Sequence, residues 1–253
     1  MKKVLLSAAD VCKSFETGGN LVNLLNHVNV EFYEGDFTVI MGASGAGKST
    51  LLYALSGMNK ISEGKVLYKD KEISSFNEKQ IASLRSQDFG FVFQQTNLVS
   101  NLTLFENVAV AGYLGKERST KETYIRTEEL LKQMHVSNAK DRLPSEVSGG
   151  EAQRAAVARA IINKPRIVFA DEPTGALNKH NTEEVLNIIS ELNKSGQSII
   201  MVTHDLRAAL RGNRLLYLED GKIIGEKEMP FYTQSDAKDR EAQLNNWLAS
   251  MEW

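Results

Sequence analysis

The sequence predicts an α/β fold: a mostly parallel sheet, an N-terminal antiparallel β part and an inserted α-helical subdomain. Three observations carry that prediction. Short apolar runs alternate with helical periodicity through the C-terminal half, a pattern that buries a parallel sheet on both faces. The segment from Leu104 to about His135 reads as helical and interrupts that alternation. A glycine-rich turn after the apolar run Phe37 to Met41 leads directly into a helical pattern.

In chain order, Val28 to Tyr33 alternates as a half-buried strand does, and Phe37 to Met41 is nearly all apolar. Ser49 to Ser56 is expected to be helical. Gly64 to Tyr68 and Phe89 to Phe93 read as strands on either side of a short helix, Glu78 to Arg85. In the central stretch Ile125, Leu130, Leu131 and Met134 partly follow a helical period and predict one buried stripe. Beyond it the expected order is a helix from Glu151 to Ile162, a strand from Arg166 to Ala170, a helix from Asn181 to Asn193 and a strand from Ser198 to Thr203. Asp220-Gly221, between Leu215 to Leu218 and Lys222 to Gly225, is a two-residue hairpin signal. The expected division is a domain over 1–230, with the helical subdomain at about 95–160, and a tail over 231–253. In that tail Leu244, Trp247, Leu248 and Met251 form an apolar stripe.

The 253 residues carry a net charge of −2, so no global field favours nucleic acid as a partner. One cysteine, Cys12, excludes an internal disulfide framework. The apolar run after Lys2-Lys3 is too short for a secretory signal and is interrupted by Asp10 and Lys13. No run of about 18 apolar residues is present to span a bilayer, so the expected location is cytoplasmic.

Gly42-Ala43-Ser44-Gly45-Ala46-Gly47-Lys48-Ser49-Thr50 matches the phosphate-binding spacing G-x-x-x-x-G-K-[ST]. Glycines let successive backbone N–H groups turn inward around phosphate oxygens, and the following helix N-terminus adds positive potential. Lys48 would reach the β- and γ-phosphates, and the Ser49 hydroxyl would face Mg²⁺. Asp171-Glu172 ends the apolar run Ile167 to Ala170, at the strand edge where ligands of open α/β sheets bind. Asp171 is the candidate Mg²⁺ ligand and Glu172 the candidate general base. Ser148 and Glu151 have the spacing of a capping box opening a helix behind Gly149 and Gly150.

Val147-Ser148-Gly149-Gly150-Glu151, followed by Gln153-Arg154, resembles the signature motif of ABC-transporter ATPases. The resemblance covers about Val4 to Gly225 and identifies the chain as a P-loop NTPase of that family. It implies that Ser148, Gly149, Gly150 and Glu151 bind ATP in trans, across a head-to-tail homodimer. It also implies that Gln94 joins Mg²⁺ and water, that His204, roughly 30 residues after the acidic pair, contacts the γ-phosphate, and that Phe15 stacks on adenine. Two departures stand out: Asn178 where the family usually carries aspartate, and Phe15 for the commoner tyrosine.

The compact stretch of about 54 residues from Gln94 to Ser148 is similar to transporters rather than to non-transport relatives in DNA repair or translation. Gln94-Gln95-Thr96-Asn97-Leu98-Val99 and Leu102 to Val108 resemble the macrolide and lipoprotein-exporter branch, including antimicrobial-peptide resistance transporters. The resemblance implies a membrane permease on a separate chain, with the ATPase at the inner face of the cell membrane. Peptide-antibiotic resistance is the leading expectation, with lipoprotein release or cell division as the alternative. Of apolar Leu98, Val99, Leu102, Leu104 and Phe105, some are expected to be core and two or three to line a groove that accepts a short helix of the permease.

Overall fold

The computed structural model describes residues 2–17, 20–115 and 118–251. The chain divides into two compact units, Met1–Ile81 with Asn193–Trp253, and Ala82–Leu192.

The first unit begins with two long strands, β1 (Val4–Thr17) and β2 (Asn20–Tyr33), paired antiparallel. The strand expected at Val28 to Tyr33 is only the last part of β2. The ladder is kept long by irregularities that re-aim it, where Asp10 and His27 take left-handed backbone at φ 55° and 49°. After β3 (Phe37–Met41) and α1 (Lys48–Leu55), β4 (Glu63–Tyr68) joins the free edge of β1, and β5 (Lys71–Glu72) closes that sheet in the order β2-β1-β4-β5. α2 spans Glu78–Gln87.

Every residue of β3 is buried, as a strand covered on both faces requires. In the second unit β6 (Phe89–Phe93) leads to α3 (Leu104–Leu114), α4 (Thr120–Gln133), α5 (Gly149–Ile161), β7 (Ile167–Asp171) and α6 (Lys179–Lys194). The chain then completes the first unit with β8 (Ser198–Val202), α7 (Leu206–Ala209), β9 (Arg214–Glu219), β10 (Lys222–Glu228) and α8 (Ala237–Ala249). β3 pairs parallel with both β8 and β9, and β9 turns back into β10 through Asp220 and Gly221, both at positive φ. That is the two-residue hairpin expected from Asp-Gly.

In the second unit β6 and β7 run parallel and carry an aromatic cluster, Phe89, Phe91 and Phe169, with ring centroids 5.0 and 5.5 Å apart. α5 lies close on β6 because Gly90 has no side chain: a Cβ there would meet the Ala160 carbonyl oxygen at 2.3 Å. The helical stretch expected from Leu104 to about His135 is made of two helices. Gly115 ends α3 and Ser119 opens α4 with a capping box to Glu122. The break also re-phases the stripe: Leu130, Leu131 and Met134 are buried as expected, but Ile125 is 47% exposed and Thr123 and Thr127 occupy the inner face.

The tail helix α8 packs on its own unit. Leu244 and Leu248 are each 1% exposed, and Trp247 meets Tyr217 edge to face at 6.4 Å. The Arg240 guanidinium donates to the carbonyls of Leu210, Gly212 and Pro230. Among the described residues no helix is long and apolar enough to cross a membrane.

Candidate active site

The first unit holds the glycine-rich loop between β3 and α1. Gly42, Gly45 and Gly47 take φ of 150°, 83° and 99°, the left-handed side of backbone space that side chains disfavour. At two of them there is also no room. A Cβ on Gly42 would meet the Leu218 carbonyl oxygen at 2.1 Å, and one on Gly47 the Leu24 carbonyl oxygen at 2.5 Å. Ala43, Ser44 and Gly45 are exposed at the crest of the loop, while Ala46 is buried beneath it. Lys48 folds back over the loop, its Nζ donating to the carbonyls of Gly42 at 2.8 Å and Ala43 at 2.9 Å. A glycine-rich loop that runs into a helix N-terminus with an ammonium folded over it is an arrangement that can receive an anion. Ser49 and Thr50 follow in the first turn of α1.

His204 stands exposed just beyond β8. Its neighbours are anchored: Thr203 N donates to Ile40 O of β3, and Asp205 caps α7 while accepting a two-pronged contact from Arg207. Phe15, in β1, is 41% exposed, with the Lys13 ammonium 4.5 Å from its ring centroid.

The second unit places the acidic pair and the glutamine side by side. The parallel register sets Phe93 opposite Asp171, so Gln94 and Glu172 leave adjacent strand ends at the same level. Glu172 takes φ 45°, a left-handed conformation uncommon for glutamate, which breaks the strand alternation at this residue. Gly175 lies against the Gln94 side chain, where a Cβ would come within 2.9 Å of its amide nitrogen. Asn178 caps α6 by accepting from Asn181 N at 3.0 Å, a task its amide oxygen performs as an aspartate would.

Ser148 caps α5 with the reciprocal bonds its spacing predicts. Its hydroxyl accepts from Glu151 N at 3.2 Å, and Glu151 accepts from Ser148 N at 2.9 Å and from the hydroxyl at 2.7 Å. Those bonds from the Ser148 side chain and backbone hold the Glu151 carboxyl below the usual carboxylate range. Ser148 and Gly149 are exposed, whereas Gly150 is buried against Asn181. α5 thus presents a capped, solvent-facing N-terminus.

The family description "ABC transporter" matches residues 25–175. The chain belongs to the ABC transporter family. Among its curated relatives are macrolide export ATP-binding/permease proteins, MacB, of Mannheimia succiniciproducens, 42% identical over 88% of this chain, and of Wolinella succinogenes, 39% identical over 90%. The chain spans 35% of the length of each of these two relatives. Among solved structures, the ABC cassette MJ0796 in a dimeric post-hydrolysis state bound to ADP and Pi superposes with a TM-score of 0.84. It is 34% identical, covering 90% of this chain and all of that one.

Three polar side chains of this ABC chain to which the sequence assigned no role make bonds to backbone carbonyls. Gln153, 1% exposed, donates to the carbonyls of Phe93 at 2.9 Å and Pro173 at 2.7 Å. Arg159 donates to the carbonyls of Thr96 and Asn97, both at 2.6 Å, and burial pulls its pKa down. Buried Asn107 bonds both the N–H and the carbonyl of Val99 and the carbonyls of Leu102 and Thr103. Gln153 lies in the signature segment and Asn107 in the stretch Leu102 to Val108, whereas Arg159 had no such local signal. Of the five apolar residues expected to divide between core and docking groove, Leu104 is fully buried, Val99 is 50% exposed, and Leu98, Leu102 and Phe105 are half-buried.

Proposed function

We propose that the chain binds and hydrolyses ATP to drive a membrane permease, working as a pair of copies at the inner face of the cell membrane. The observation that carries this is the glycine cradle over which Lys48 is folded, with its ammonium held at 2.8 and 2.9 Å by loop carbonyls. A triphosphate would draw Lys48 from those carbonyls to its β- and γ-oxygens. Glu172 acts as general base on the attacking water, Gln94 orients that water, and His204 steadies the γ-phosphate. Ser148, Gly149, Gly150 and Glu151 close the site of the second copy, and Phe15 carries the adenine.

The donor set fits Mg²⁺. The Ser49 hydroxyl, the Gln94 amide oxygen and the Asp171 carboxylate are hard oxygen donors that would hold Mg²⁺ together with phosphate oxygens and water. When bound, Mg²⁺ would neutralise charge developing on the β- and γ-oxygens.

Purified chain tests the assignment. Glu172→Gln should lose about 10²- to 10⁴-fold in turnover while retaining ATP, and Lys48→Ala should weaken ATP binding as well. Hydrolysis by Glu172→Gln at the wild-type rate would remove Glu172 as base.

For the cargo we favour an antimicrobial peptide. The names of the MacB relatives support a second reading, a macrolide. Susceptibility of cells carrying or lacking the gene, measured with both drug classes, separates the two. Charge substitutions at Leu98 and Val99 should abolish the phenotype without lowering basal ATPase, since those half-exposed side chains follow Gln94 and would meet the permease. Full resistance in a folded Leu98→Asp, Val99→Asp double variant would move the docking site elsewhere.

A further inference from the structure

We propose that Gln153 is a positioning residue that sets Gln94 and Glu172 relative to each other and carries the state of the α5 N-terminus to both. The inference rests on the roles assigned to those two residues above. Its basis is one buried amide. Both N–H groups of the Gln153 side chain are used, one on the Phe93 carbonyl and one on the Pro173 carbonyl. Phe93 immediately precedes Gln94, and Pro173 immediately follows Glu172. A single NH₂ group therefore clamps the backbone where β6 ends to the backbone just past β7, beside the left-handed Glu172.

The clamp is rigidly mounted. Gln153 sits on α5, five residues beyond the Ser148 cap, and the adjacent Arg154 donates to Met134 O at 3.1 Å and pairs with Glu184 at 2.5 Å. No solvent reaches Gln153 to replace a lost bond, so removing either N–H leaves a carbonyl without its donor. Displacement of the α5 N-terminus, such as engagement of the exposed Ser148 by a phosphate would cause, moves this amide and both strand ends with it. Neighbours that orient reacting groups from one layer away typically change rates by about 10- to 100-fold when removed. No such effect on ATP affinity is expected, since Gln153 donates to neither the loop 42–50 nor Phe15.

Gln153→Leu and Gln153→Glu, made in the full chain, test the proposal beside Glu172→Gln. Both Gln153 variants should lower kcat by about 10- to 100-fold with KM for ATP within roughly twofold of wild type. The Glu variant adds a signature. Its protonated carboxyl offers one O–H donor and its carboxylate none, and burial raises its pKa towards neutrality. Its kcat relative to wild type should therefore rise as pH falls from about 8 to about 6. Wild-type kcat in either folded variant, with only the melting temperature lowered, would make Gln153 merely structural and overturn the inference. A raised KM with unchanged kcat would overturn it too. If Gln153→Leu does not fold, the Glu variant decides alone, and a flat pH ratio is the negative result. Wild-type hydrolysis by Glu172→Gln would instead strike at the underlying assignment of the base.

Discussion

The backbone N–H of Gly221 donates to the carbonyl of Ala46 at 3.1 Å, tying the turn of the β9–β10 hairpin to the middle of the phosphate loop. Gly221 also accepts from Asn26 N at 2.9 Å, so the loop is braced by β2 and by the hairpin together. Gly221 is at φ 73°, and a Cβ there would lie 2.6 Å from the Leu24 carbonyl oxygen. Gly221→Ala should push the turn off β2 and loosen the cradle. We expect KM for ATP to rise by about tenfold, equivalent to about 1.4 kcal/mol, with kcat little changed. Steady-state kinetics decides, and an unchanged KM would show the brace to be dispensable.

Assembly is the next expectation. With ATP, the Glu172→Gln chain should sediment as a dimer, and without nucleotide as a monomer, because two equivalent interfaces close together in a twofold pair. Ser148→Arg in that background should keep it monomeric. The cap loss itself costs only about 1 kcal/mol, so circular dichroism can confirm that the variant is folded. A dimer formed equally well by Ser148→Arg would place the interface away from the α5 N-terminus.

The tail should act on stability. Deleting residues 237–253 exposes the surface covered by Leu244 and Leu248 and removes the Arg240 fork. Leu244→Ala alone should cost about 2–5 kcal/mol and lower the melting temperature. Arg240→Lys should recover little of an Arg240→Ala loss, since one ammonium cannot reproduce a planar fork onto three carbonyls. An unchanged melt on deletion, with permease binding lost, would assign the helix to a partner instead.

Acid sensitivity follows from the caps. Glu122 and Glu151 are both held below the ordinary carboxylate range, chiefly by hydrogen bonds from the side chains of Ser119 and Ser148 and then from their backbone N–H groups. A depressed folded pKa stabilises the protein above the unfolded value, about 4.3 for glutamate, and that stabilisation is lost as pH falls through the folded value. Glu151→Gln, which keeps a box-forming side chain, should flatten the decline of melting temperature below about pH 4.5. An identical pH profile in the variant would show that Glu151 contributes nothing to acid unfolding.

The sequence by itself determined what local bonds complete. The phosphate loop, the Asp220-Gly221 turn and the Ser148–Glu151 box each close within a few residues, so spacing and residue type specify them. The break between α3 and α4 was also written locally, in the second box at Ser119 and Glu122. A single buried stripe drawn through the stretch does not allow for that break, and Ile125 falls on the exposed face.

Tertiary structure decided the rest. Gln153 bonds carbonyls 60 and 20 residues away, and Arg159 reaches back 62 to Asn97. No periodicity marks a glutamine or arginine as the donor to a distant carbonyl, because that partner is fixed only once α5 lies on β6. The length of β1 and β2 is of the same kind. An isolated hairpin is marginal in water, and it is the further pairing of β1 with β4 that turns local strand propensity into a sheet.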